Sequence, residues 1–174
     1  MPSFISNNND YQILSINAKK SNQYRIRRMQ ETDIDTIVKL EQITWPDESW
    51  SSEVFFDYLH NPFWDCWILA CSINDNSILG YGLQYIDNHV SHIANLCIDP
   101  CQRGRGLGGI LLQYMIDYSR RLGASIIELE VNTSNIQAYN LYYKHGFVKI
   151  GFLERYYLDS TDAYRMQLIL DRIY

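Results

Sequence analysis

Apolar residues recur along this chain at two spacings, and the alternation between them lays out its elements. Tyr24–Met29 reads as a short first strand. Asp33–Ile43 reads as a helix, with Ile34, Ile37 and Val38 at helical spacing and Pro46 ending it. Ser51 or Ser52 caps a second helix that carries Phe55, Tyr58 and Leu59 on one face, and Asn61-Pro62 closes it. Trp64–Ile73 is nearly all apolar, as a strand covered on both faces would be. Asn74–Ser77 is a turn cluster, Ile78–Ile86 a strand, Asp87-Asn88 a turn, and His89–Ile98 a further strand that stops at Asp99-Pro100. Short polar turns between successive strands imply antiparallel hairpins.

The second half changes period. Gly106–Leu122 is amphipathic, with Leu107, Leu111, Met115, Tyr118 and Leu122 along one stripe and Gly123 as its stop. Ser125–Val131 is a strand. Ser134, with Gln137 three residues on, has the form of a capping box opening a helix. Ala138, Leu141, Tyr142 and His145 share one face of that helix, and Gly146 ends it. Phe147–Tyr157 and Ala163–Leu170 complete the pattern β-α-α-β-β-β-α-β-α-β-β. The expected fold is α/β in the broad sense (α+β): a mixed, mostly antiparallel central sheet with helices on both faces.

The chain has 174 residues, which favours one domain with an ordinary core. Residues 1–23 are polar and asparagine-rich, and read as an arm or an edge strand, with a single domain over residues 24–174. They lack the apolar run of a signal peptide, and no stretch of 18 apolar residues offers a membrane span. A net charge of −5 argues against a nucleic-acid partner, which calls for a basic face. The four cysteines, Cys66, Cys71, Cys97 and Cys101, fit no zinc spacing and read as buried free thiols in a reducing cytoplasm. His60, His89, His92 and His145 are scattered, with packing or surface roles expected and no metal site.

The richest segment is Asp99-Pro100-Cys101-Gln102-Arg103-Gly104-Arg105-Gly106-Leu107-Gly108-Gly109, between a strand and a helix. Glycines let a backbone approach an anion closely, and a helix start offers unpaired N–H groups in a favourable dipole. A phosphorylated cofactor is the natural ligand. Gly104-x-Gly106-x-x-Gly109, with Glu128 about 20 residues on, matches a dinucleotide fingerprint. The context is wrong for a nucleotide-binding oxidoreductase: the loop follows antiparallel strands past mid-chain, and one βαβ unit follows it.

Arg103-x-x-Gly106-x-Gly108 resembles the Q/R-x-x-G-x-G/A loop of GNAT acetyltransferases, and the element order agrees from about Tyr24 to Leu170. Within that superfamily "DPCQRGRGLGGILL", "LEVNTSNIQAYNLYYKHGF" and "RYYLDSTDAYRM" resemble RimI-type ribosomal-protein alanine N-acetyltransferases. The resemblance implies a GNAT fold, acetyl-CoA as cosubstrate and no metal. It implies that the main chain of Leu96, Cys97 and Ile98 pairs with the pantetheine arm. It puts the pyrophosphate at Gly104, Arg105, Gly106, Leu107, Gly108 and Gly109, with Arg103 compensating for the glycine at 104. It implies that Asn135 contacts the cofactor arm, a role compatible with its plain reading as a helix-start residue. Glu130 matches the general base, against the plain reading of a solvent-facing carboxylate that shares a strand face with Ile126 and Glu128. Tyr142 matches the general acid, against a core tyrosine; its neighbour Tyr143 points elsewhere on the helix.

The implied reaction is acyl transfer from a thioester to a neutral amine. An α-amino group titrates near ~8 and lysine near ~10.4, so a protein N-terminus is the easier nucleophile at neutral pH. The expected partner is the N-terminus of a ribosomal protein, in the cytoplasm, with oligomeric state open. Trp45-Pro46-Asp47-Glu48-Ser49-Trp50, Tyr156, Tyr157, Asp159 and Asp162 are candidates for substrate choice, with carboxylates holding basic residues; loop packing is the plain reading. The alternatives are a GNAT enzyme acting on another amine, such as a different N-terminus, a lysine or a small molecule, and a non-catalytic acetyl-CoA-binding module.

Overall fold

The computed structural model describes residues 12–14, 24–71 and 77–170. Eight strands form one sheet: β1 (Gln12–Leu14), β2 (Tyr24–Arg28), β3 (Trp64–Cys71), β4 (Ile78–Asp87), β5 (Val90–Ile98), β6 (Ile126–Asn132), β7 (Val148–Leu153) and β8 (Ala163–Ile169). Their order is β1-β2-β3-β4-β5-β6-β8-β7. Only β5 and β6 run parallel; each other neighbouring pair is antiparallel. Helices α1 (Ile34–Thr44) and α2 (Ser52–His60) precede β3, α3 (Leu107–Arg121) joins β5 to β6, and α4 (Ile136–Lys144) joins β6 to β7. The mixed sheet expected from the hydrophobic pattern is therefore the one the chain adopts.

Two cores flank the sheet. Ile34, Ile37 and Leu40 of α1 and Phe55 of α2 pack on Cys66, Ile68, Tyr81, Leu83 and Cys97. On the other face Leu107, Leu111, Leu112 and Met115 of α3 and Tyr142 of α4 pack on Trp67, Leu69, Ile127, Leu129 and Val131. β3 is thus covered on both sides, which is why its sequence is a continuous apolar run. Below α1 the carboxyl of Glu41, 1% exposed, accepts hydrogen bonds from the Tyr81 hydroxyl and from Asn95 Nδ2. These bonds tie α1 to β4 and β5, and burial raises the carboxyl's pKa.

Several local expectations change. The turn before β5 is Asn88-His89, both at positive φ. α3 keeps Leu107, Leu111 and Met115 in the core, but Leu122 falls past its end and is exposed. Ser134 does not cap α4. Asn132 Oδ1 takes the Ser134 N–H and hydroxyl, which delays the helix, and Asn135 Oδ1 accepts from Ala138 N instead. The strand expected over residues 147–157 is confined to β7, and Leu170 lies beyond β8. Cys66 and Cys97 are buried thiols, Cys71 is half-buried, and Cys101 is exposed because it sits on the loop ahead of α3. Of the residues expected to form an arm, Gln12–Leu14 pairs with β2, and the end of the expected strand Trp64–Ile73, at 72–73, lies with the turn residues 74–76 outside the described residues.

Candidate active site

The site begins where the two parallel strands part. Val90, Ser91 and His92 pair with Ile126, Ile127 and Glu128, and the pairing stops there. Beyond it β5 stays with β4 as far as Ile98, while β6 stays with β8 as far as Asn132. The register between β4 and β5 slips so that Ala94 is an extra residue on β5. Such a bulge bends its strand, here at the point of divergence. The result is a V-shaped opening. Asp99 N donates to Leu79 O, so by alternation the main chain of Cys97 faces β4, and that of Leu96 and Ile98 faces the opening. Of the three residues expected to pair with a pantetheine arm, two turn edge groups to the opening, the carbonyl of Ile98 being already taken by Arg103 Nε. Cys97 instead sends its thiol into the core, near Thr44, where burial pushes it up to about 12.

The glycine loop stands at the end of β5. A short 3-10 turn over Pro100–Gln102, held by Asp99 Oδ1 accepting from Cys101 N at 2.8 Å, leads into it. Gly104 and Gly106 have φ of +76° and +79°, and a Cβ on either would meet nothing within 4 Å. Gly106 is the residue preceding α3, and the first intrahelical bond runs from Ile110 N to Gly106 O. The N–H groups of Leu107, Gly108 and Gly109 are left for a ligand. Open glycines beside unpaired amides at a helix start fit a pyrophosphate. Gly108 and Gly109 also serve packing, since a Cβ there would lie 3.2 Å from Leu141 of α4 and 3.3 Å from His145, the residue that follows it. Leu107 is buried. Arg103 Nε donates to Ile98 O at 3.1 Å. Arg105 bonds to Gln102 and, at 2.8 Å, to the Tyr24 hydroxyl. Asn135 stands at the start of α4, its side chain engaged in the cap.

Glu130 lies on β6 beyond the last parallel pair, on the face opposite Leu129 and Val131. It is not a solvent-facing carboxylate: its side chain is 7% exposed. Arg165 Nε, from its cross-strand partner on β8, donates to Oε1 at 3.0 Å, and His92 Nε2 lies 3.1 Å from Oε2. Burial alone would raise the carboxyl's pKa, but His92 and Arg165 outweigh it and hold the group below its usual value. The acid stays ionised, and each oxygen is fixed in direction.

Tyr142 is buried on α4 with its ring beside Phe147, and burial pushes its hydroxyl up to about 12. Tyr143 is exposed and stacks on Tyr139. The Tyr157 hydroxyl is raised by burial and by the nearby Tyr156, Tyr142, Glu130 and Glu48, so it stands in electrostatic reach of both candidate catalytic groups. From the other side an unbroken run of rings leads to the site: Trp50 with Tyr58, Tyr58 with Trp64, Trp64 with Tyr85, and Tyr85 with His92. Glu48 Oε1 accepts from Asp159 N at 3.0 Å, which joins the segment between α1 and α2 to the turn between β7 and β8.

His92 and Arg165 were invisible as site residues in the sequence. Arg165 comes to Glu130 by strand pairing across 35 residues. His92 comes by the parallel register of β5 and β6, diagonal to Glu130. Only the shared period-2 face, Glu128 with Glu130 and Arg165 with Gln167, hinted at it.

The same architecture occurs in proteins of known kind. Residues 34–147 match the acetyltransferase (GNAT) family. An N-alpha-acetyltransferase of Sulfurisphaera tokodaii is 30% identical over 162 residues, covering 86% of this chain and 95% of that protein. The ribosomal-protein-S18-alanine N-acetyltransferase of Escherichia coli superposes with a TM-score of 0.73 at 25% identity, over 87% of this chain and 99% of that one. A chain of the NatC complex bound to Gag peptide and CoA gives a TM-score of 0.75 at 25% identity, over 85% and 99%. With the splayed strands and the glycine loop, these matches show that the chain belongs to the acetyltransferase (GNAT) family and is an acetyl-CoA-dependent N-acetyltransferase.

Proposed function

We propose that the chain acetylates the α-amine of protein N-termini, with the N-terminal alanine of a small-subunit ribosomal protein as its target. The observation that carries this reading is the site at the mouth of the splay, where an ionised Glu130 is held by Arg165 and His92 and Tyr157 stands in electrostatic reach of both Glu130 and the buried Tyr142. The names of the relatives support it: one is an N-alpha-acetyltransferase, another a ribosomal-protein-S18-alanine N-acetyltransferase.

The cosubstrate supplies an acyl group activated as a thioester. Leu96 and Ile98 offer it their edge groups, and the amides at the start of α3 hold its pyrophosphate. Glu130 takes the amine's proton, directly or through His92 or a water. Because the carboxyl is held low, it is ready as an acceptor across the neutral range. Tyr142 keeps its proton through that range and hydrogen-bonds the departing sulfur as charge develops on it. A free thiol titrates near ~8.5, well below this hydroxyl, so the donor works best as charge on sulfur peaks. The aromatic run from Trp50 to His92 walls the entry for a small first residue.

The test uses peptides that begin with alanine, serine and methionine, with internal-lysine and polyamine controls. Glu130→Gln and Tyr142→Phe should each bind acetyl-CoA normally and lose on the order of 10²-fold in turnover. The Glu130→Gln loss should shrink as pH rises toward the amine's pKa near ~8, and the Tyr142→Phe loss should not. Near-normal turnover of Glu130→Gln at neutral pH overturns the assignment of the base. Acetylation of the lysine or polyamine controls alone overturns the choice of substrate.

A further inference from the structure

Arg165 does more at this site than its bond to Glu130 requires. A guanidinium carries five N–H donors, and Glu130 uses the one on Nε. Among the described residues the terminal nitrogens donate to nothing, and the side chain is 44% exposed. The opposite position on β7 is Gly151, where a Cβ would sit 3.5 Å from Arg165 Cβ, so no side chain covers the cation from that edge. Both helices of this face, α1 and α2, pack over β3 to β5, and the core they build takes no residue from β6 or β8. The groups around the guanidinium are Glu130, Tyr156 and, one pair further along the strands, Glu128 bonded to Gln167.

Three of the four rim carboxylates expected to receive basic residues accept main-chain bonds that shape the turns. Asp162 Oδ1 accepts from Arg155 N at 2.9 Å, Asp159 Oδ1 from Thr161 N at 2.8 Å, and Glu48 Oε1 from Asp159 N. They hold the turns at the rim. The cation with open donors at the centre is Arg165.

We propose that Arg165 reads the residues behind the reactive amine, so that the chain prefers N-termini with an acidic side chain at the second or third position. This rests on the reading of the chain as an acetyltransferase of protein N-termini. An amine delivered to Glu130 brings its next residues past the neighbouring strand, since paired strands lie ~5 Å apart and each extended residue advances ~3.5 Å. A carboxylate arriving there meets two terminal nitrogens in a planar fork, the geometry that favours bidentate binding. A lysine or arginine there meets like charge.

Three peptides that begin with alanine and differ only at positions two and three, as glutamate, alanine or lysine, test this. The native chain should acetylate the glutamate peptide with a kcat/KM on the order of tenfold above the lysine peptide, a charge-assisted hydrogen bond's worth. Arg165→Gln should bring that ratio close to one, and Arg165→Lys should retain part of it. Because loss of the bond to Glu130 lowers all three rates together, the ratio isolates recognition from catalysis. Equal rates on the three peptides in the native chain, or an unchanged ratio in Arg165→Gln, overturn the proposal alone. Failure to acetylate any of them overturns the N-terminus reading and the proposal with it.

Discussion

At Gly106 the backbone sits at φ +79° in open space, whereas at Gly108 the space beside the Cα is taken by Leu141. Two glycines of one motif therefore act differently. Gly106→Val puts a β-branched residue in a left-handed conformation and a side chain over the amides of α3. Its acetyl-CoA affinity, measured by calorimetry on folded protein, should fall much further than its stability. Gly108→Val drives methyl groups into α4 and should cost about 1–3 kcal/mol in urea denaturation. If Gly106→Val kept its acetyl-CoA affinity, or Gly108→Val kept its stability, the division of labour would be wrong. The motif was legible as a phosphate loop in the sequence, but glycine letters alone do not say which hydrogen faces a ligand and which faces a helix.

α4 shows how an element's end is set by its neighbours. The spacing of Ser134 and Gln137 made an acceptable capping box. Asn132, at the end of β6, takes the serine's hydroxyl, and the cap passes to Asn135. Asn135→Ala should lower stability by about 1 kcal/mol, and Asn135→Asp should restore it by keeping the acceptor. If Asn135→Asp recovers stability but not acetyl-CoA affinity, the amide also contacts the cofactor. Recovery of both in the same titration would leave the cap as its whole role. The ends of α1, α3 and α4 were otherwise legible because Pro46, Gly123 and Gly146 stop helices for local steric reasons.

For the molecule as a whole, Glu130 couples the site to stability. Its carboxyl is ionised and held below its ordinary value of 4.5 by His92 and Arg165, against the opposing effect of burial. A depressed carboxyl contributes stability that is fully present above the unfolded value and is lost as pH falls through the folded one. The native chain should therefore lose more stability than Glu130→Gln between pH 6 and pH 3, and the difference between the two should shrink across that window. Urea denaturation at both pH values checks this; a constant difference would mean that the pairs with His92 and Arg165 do not stabilise the fold.

Periodicity and turn chemistry determined most of the elements, because the 3.6 and 2 residue repeats and the glycine and proline stops are local properties of the chain. With them came the sheet class and the glycine loop, whereas Glu130 and Tyr142 became candidates only through the resemblance to GNAT acetyltransferases. Tertiary structure decided which strands splay, because the Ala94 bulge and the end of the β5–β6 pairing depend on register. It also decided that Glu130 is enclosed, that His92 and Arg165 hold it, and that the rim carboxylates serve the turns. Each of these is a contact between residues far apart in sequence. No local repeat encodes such contacts, since they arise only when packing of the two cores fixes which strand lies beside which.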